Sequence, residues 1–134
     1  MIDDQDNIER FKAMAGRILG ALYAEHPKAQ WNDPGLVCGG NIVPEEKDAD
    51  LYEDTVNYLE ENGYIISPQP GFIRLRDKGY QVLQKPNPLD PKKPLGKTLT
   101  EWAQGAAGSA VKDGMSKLGE AALDALYGAI GIGG

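Results

Sequence analysis

Apolar positions recur at helical spacing early in the chain. Ile8, Phe11, Ala15, Ile18, Leu19 and Leu22 fall within one arc of a helical projection, which predicts an amphipathic helix ending near His26, before Pro27. Ala13, Gly16, Gly20 and Ala24 lie opposite. That stripe of small residues is either chance Ala/Gly usage or a seam where another helix backbone approaches closely. Asn32-Asp33-Pro34-Gly35 and Gly39-Gly40-Asn41 are turn signals, so Gln30 to Val43 reads as a loop with a short extended piece at Leu36-Val37. A second helix is predicted from about Pro44 to Asn62, burying Leu51, Tyr52, Thr55, Val56 and Leu59 and stopping at Gly63. Tyr64-Ile65-Ile66 and Phe72-Ile73-Arg74-Leu75 then read as two strands, joined through Ser67-Pro68-Gln69-Pro70-Gly71 into a β-hairpin. Asp77 is expected to cap a short helix running to Lys85.

The pattern changes at Pro86, where four prolines before Leu95 remove backbone donors and favour an extended spacer. Three parts are expected: a domain over 1–85, a Pro-rich linker over 86–95 and a Gly/Ala-rich helical appendage over 96–134, kinked near 105–109. A chain cut after Lys85 is expected to fold. In the appendage, Leu99, Trp102, Ala103 and Ala106 share one side, and a second stripe holds Val111, Met115, Leu118, Ala122, Ala125, Leu126 and Ala129. Asp113 and Lys117 are spaced as an ion pair along the helix. Three destinations are open to this stripe: the small-residue seam of the first helix, the same helix of another copy, or a membrane surface. Its charges disfavour a membrane span, and its scarcity of cations disfavours a membrane surface. Helix-on-helix packing and self-association through Val111, Met115, Leu118, Ala122 and Leu126 are the expectation.

Charge and chemistry narrow the function classes. The 134 residues carry 14 Lys+Arg against 20 Asp+Glu, a formal net charge of -6, which argues against indiscriminate binding to phosphate polymers. With one Cys there is no internal disulfide, and no apolar run near Met1 resembles a signal peptide; a cytoplasmic location is expected. His26, the one imidazole, stands at a helix end where it suits terminal carbonyls better than catalysis. Ser67, Ser109, Ser116 and Cys38 have no other imidazole to activate them, and one His with one Cys cannot build a tetrahedral zinc site. Asp48 and Asp50 lack the glycine and distal Glu of a calcium loop. Gly96-Lys97-Thr98 ends like a phosphate-binding loop, but Pro91 stands where the first glycine belongs. The expectation is a protein without catalytic residues, cofactor or metal.

Asn57-Tyr58-Leu59-Glu60-Glu61-Asn62-Gly63-Tyr64-Ile65, followed by Ile73-Arg74-Leu75-Arg76-Asp77-Lys78-Gly79-Tyr80-Gln81-Val82-Leu83, resembles the signature of small prokaryotic and phage winged-helix proteins. The likeness covers about residues 8 to 85. It departs where Arg76 replaces the usual Thr and where a Gly-rich loop replaces the middle helix. It implies an α+β, mainly helical fold: a winged-helix domain of two main helices, a two-stranded wing and a short helix, followed by the helical appendage. DNA binding is the common occupation of that family, and protein docking is another. The helix face that would enter a DNA groove carries Asp50, Glu53, Asp54, Asn57, Glu60 and Glu61. Carboxylates about 6 Å from phosphates repel them by roughly 1 kcal/mol each even at high dielectric. The favoured expectation is therefore a regulatory interaction module whose acidic face docks a basic protein partner or mimics nucleic-acid charge, and which forms a homo-oligomer. The alternative is a DNA-binding regulator touching phosphate through Arg74, Arg76 and Lys78 of the wing. A third reading is a small membrane-active effector.

Overall fold

The computed structural model describes the backbone of residues 4–33, 36, 46–107 and 113–130, and the side chains of 10–33, 36, 49–101 and 120–130. The described elements are α1 (Asp4–Glu25), β1 (Gln30–Trp31), α2 (Glu46–Glu61), β2 (Ile65–Ile66), β3 (Phe72–Leu75), α3 (Asp77–Leu83), β4 (Pro86–Asn87), β5 (Asp90–Pro94), α4 (Leu95–Ala107) and α5 (Asp113–Ala129). The fold is α+β and mainly helical. Three strands form an antiparallel sheet in the order β1-β3-β2, with Trp31 opposite Phe72, Ile66 opposite Arg74 and Ile65 opposite Leu75.

Helix α1 is the centre because two of its faces are used. Met14, Ala15, Ile18, Leu19 and Leu22 are buried in the core with Tyr52, Val56 and Leu59 of α2 and with Ile65, Ile73 and Leu75 of the sheet. On the small-residue stripe, Gly16 and Gly20 are buried while Ala24 stays exposed. A Cβ at Gly20 would stand 2.9 Å from the backbone carbonyl carbon of Leu99, so α4 crosses α1 backbone to backbone there. The Thr100 hydroxyl lies 2.8 Å from both the Gly20 and Gly96 carbonyl oxygens and can donate to either, replacing the side-chain packing a glycine cannot supply. The seam is thus occupied by α4 of the same chain.

Helix α2 ends as Gly63 foretells. Gly63 has φ +82°, its N–H donates to the Glu60 carbonyl, and the Tyr64 N–H reaches back to the Leu59 carbonyl at 2.9 Å. The paired bonds satisfy two carbonyls that the helix leaves open and turn the chain into β2. Asp77 does not cap α3. Arg76 holds the cap position with no side-chain bond, and Asp77 is the first helical residue, where its carboxylate faces the positive end of the helix dipole.

Three local expectations are revised. The described extended piece is Gln30–Trp31; Leu36, expected to be extended, closes a turn through its N–H onto the Asp33 carbonyl, and Val37 lies outside the described residues. Pro86 to Pro94 is not an extended spacer but the hairpin β4–β5. A two-stranded sheet has only edge strands, which tolerate residues without an N–H. The buried Asn87 side chain anchors the hairpin, accepting from the Leu89 N–H at 2.9 Å and donating to the Thr98 hydroxyl at 3.2 Å. The helix beyond begins at Leu95 rather than Leu99 and ends at Ala107; residues 108 and 109 of the kink expected near 105–109 lie outside the described set. Leu95, Leu99, Ala122, Leu126 and Ile130 belong to the same core cluster as Ile18 and Leu22.

Candidate functional site

The buried face of α2 is made by Tyr52, Thr55, Val56 and Leu59, and the helical period sends the intervening residues outward. Asp50, Glu53, Asp54, Asn57, Glu60 and Glu61 are all exposed. None of the five carboxylates is in an ion pair or hydrogen bond with a described residue. These six residues therefore form one exposed strip that no described residue neutralises.

Two hollows flank the strip. Near its start, a cavity of about 320 Å³ is lined by Asn32, Asp50, Tyr52, Glu53, Val56 and Asn57. The Tyr52 hydroxyl donates to the Asn32 side-chain oxygen at 2.9 Å, tying α2 to the end of β1 and fixing one wall. Carboxylates at the rim above the Val56 and Tyr52 side chains suit a long basic side chain, whose stem is apolar and whose head is charged. Near the end of α2, an open groove of about 610 Å³ runs between Glu60 and Glu61 on one side and Ile66, Arg74 and Arg76 on the other, with Asp77 and Lys78 at its end.

The three wing cations divide. The Lys78 ammonium donates to the Asn62 carbonyl at 3.0 Å and lies 4.5 Å from the Tyr64 ring centre, so it closes the C-terminus of α2 and is engaged within the fold. Arg74 and Arg76 have no such partner among the described residues. Arg74 shares the outward side of β3 with Phe72, since Ile73 and Leu75 alternate inward.

One surface feature was not singled out from sequence. Trp31 is 62% exposed, its ring centre 4.7 Å from that of Phe72 across the β1–β3 pair. The Trp31 ring also rests on Gly71, whose φ of +87° and missing side chain leave it room. A tryptophan among Gln30, Asn32 and Asp33 in a turn-rich loop is the only sequence signal that could have marked it.

Two residues of the proposed self-association stripe pack within the chain. Ala122 and Leu126 are buried inside the chain's own core, and Lys12 of α1 meets Asp124 of α5 at 2.8 Å. The side chains of Val111, Met115 and Leu118 lie outside the described residues, as does Cys38. His26 stacks on Tyr80 with ring centres 4.4 Å apart, and its buried Nδ1 has no hydrogen-bond partner among the described residues. Tyr80 also stacks on Tyr23, whose hydroxyl donates to Gln84 at 2.7 Å. Burial first, and then the Tyr80 phenol, raise the pKa of Tyr23 above its ordinary value. Tyr58 is raised by burial and then by Tyr64 and Tyr127. Among the described residues no group of three or more His, Cys, Asp or Glu is placed to hold a metal ion, and no helix is long and apolar enough to cross a membrane. Comparison with protein-family models, with curated proteins and with solved structures finds no match to this chain.

Proposed function

We propose that this chain is a winged-helix-like docking module that binds a basic protein partner through the outward face of α2. The order α1-β1-α2-β2-β3 and the antiparallel strand order β1-β3-β2 support the winged-helix reading. In that architecture α2 stands where a DNA-reading helix would enter the groove. The observation that carries the proposal is the state of its face: Asp50, Glu53, Asp54, Glu60 and Glu61 are exposed and unpaired by any described residue. Such a face repels phosphates and attracts lysines and arginines, and the neighbouring cavity at Tyr52 and Val56 offers an apolar floor for one of their stems.

The test pairs affinity capture with a duplex mobility shift at low salt. A Glu53→Lys/Asp54→Lys variant is expected to melt within about 0.5 kcal/mol of the parent, because both positions are exposed. It should lose the captured partner, and neither protein should shift random duplex. Retention of the partner by the variant removes the docking reading. A salt-sensitive shift abolished by Arg74→Glu/Arg76→Glu replaces it with DNA binding through the wing.

A further inference from the structure

The groove at the end of α2 collects both signs of charge without pairing them. Glu60, Glu61 and Asp77 line it together with Arg74, Arg76 and Lys78. Lys78 is held by the Asn62 carbonyl, but no described residue forms an ion pair with Glu60, Glu61, Arg74 or Arg76. The acidic row lies on α2 and the basic row on and just after β3. Beyond Arg74 the same outward side of the sheet continues into Phe72 and the exposed Trp31, with Ile66 beside them.

From this arrangement we infer that the outer face of the sheet and its groove are a two-fold interface between two copies of this chain. In a two-fold contact each residue meets on the partner the residues that meet it, so the patch must complement itself. An acidic row beside a basic row does so: an axis between them lays Glu60 and Glu61 of one copy against Arg74 and Arg76 of the other, twice. A polyanion would meet Glu60 and Glu61, and a uniformly basic partner would meet Arg74 and Arg76. A second copy presents both rows in the required order by symmetry. Trp31 and Phe72 supply the apolar anchor that charge pairs alone do not, since aromatic side chains carry much of the energy of such contacts. The surface is distinct from the stripe at Ala122 and Leu126; it shares Glu60 and Glu61 with the acidic strip, and leaves Asp50, Glu53 and Asp54 outside it.

Sedimentation of the full chain over a range of concentrations tests it. The parent is expected to dimerise, with dimerisation weakening as salt rises. Two variants, Arg74→Glu/Arg76→Glu and Glu60→Arg/Glu61→Arg, should each weaken the dimer by about 100-fold or more, because like charges then face each other across the axis. Mixed in equal amounts they should form a heterodimer, since one is all acidic and the other all basic at these four positions. A single chain carrying all four reversals should recover the homodimer. Trp31→Ala should weaken the parent dimer by about tenfold or more. The recovery tests stand even if one variant is poorly folded, because misfolding is not repaired by a complementary charge. The Glu53→Lys/Asp54→Lys variant should still dimerise, which separates this interface from partner docking. A parent that stays monomeric, a dimer that survives both reversals, or a mixture of the two variants that stays monomeric overturns the inference. Quenching of tryptophan fluorescence by single-stranded DNA in a monomeric parent, lost in Trp31→Ala, would assign the face to nucleic acid instead.

Discussion

A glycine-to-alanine change has opposite consequences at two positions of this chain. Gly20 lies under the α4 backbone, where an added methyl would stand 2.9 Å from the Leu99 carbonyl carbon and 3.0 Å from the Thr100 nitrogen. Backbone cannot rotate aside as a flexible side chain can, so the helices must separate and the Thr100 hydroxyl must give up the Gly20 carbonyl. Gly20→Ala is expected to cost about 1–3 kcal/mol despite the better helix propensity of alanine. Gly128 of α5 is exposed, with nothing within 4 Å of its missing Cβ. There the lost conformational freedom of the unfolded chain dominates, and Gly128→Ala is expected to stabilise by roughly 0.5–1 kcal/mol. Urea midpoints of the two variants decide the matter; equal signs would remove the close crossing of α1 and α4.

Elements are joined by a few polar ties as well as by the core. Tyr23 of α1 reaches Gln84, just past α3, and stacks on Tyr80 within α3, while Gly96 of α4 has no side chain because one would collide with the Tyr23 ring. One phenol of α1 thus meets both α3 and α4. Its raised pKa carries a sign for stability. Below the unfolded value, about 10, both states keep the phenol proton and the contribution is fully present. As pH rises through and above that value, the unfolded chain ionises first while the folded chain holds its proton, so stability falls. Tyr58, raised by burial first and then by the phenols of Tyr64 and Tyr127, acts in the same direction. Tyr23→Phe is expected to lower stability at neutral pH, through loss of the bond to Gln84, and to flatten the alkaline decline. Denaturant melts at neutral pH and above pH about 10 measure both effects, and an unchanged alkaline limb in the variant would assign the decline to other groups.

At the scale of the whole molecule, helices α4 and α5 are part of the core around α1, and the hairpin β4–β5 is tied to α4 through the buried Asn87. Leu95, Leu99, Leu126 and Ile130 are buried to 1%, 0%, 1% and 5% exposure. Burying each such side chain contributes about 1.5–3 kcal/mol, and four of them approach the total stability of about 5–15 kcal/mol usual for a domain. A chain ending at Lys85 would lose all four and bare the Gly16 and Gly20 face. It is expected to show no cooperative unfolding transition by circular dichroism, contrary to what a flexible spacer at Pro86 would imply. A sharp transition for the truncated chain would show that residues 1–85 suffice. The acidic face of α2 and the mixed-charge groove lie away from this joint, so their tests are best made on the full chain.

The parts legible in the sequence are those set by short-range physics. The arc from Phe11 to Leu22, the buried row from Tyr52 to Leu59, the Gly63 stop and the Phe72–Leu75 alternation all arise from neighbours within a few residues, and each stands in the structure within a residue or two. The exposure of Asp50, Glu53, Asp54, Asn57, Glu60 and Glu61 follows from the same helical period, so the acidic strip is legible in the sequence. What the tertiary structure decided were matters of partnership at long range. Gln30–Trp31 is too short to carry a periodic signal and is a strand only because β3 lies beside it. The prolines of Pro86 to Pro94 look like a spacer until Asn87 finds Thr98. The small-residue stripe admits any helix, and the crossing at Leu99 and Thr100 selected α4; the stripe at Ala122 and Leu126 fits a second copy as well as its own chain until the core claims it. Local periodicity says which face of an element is apolar, and only contact between distant segments says what covers it.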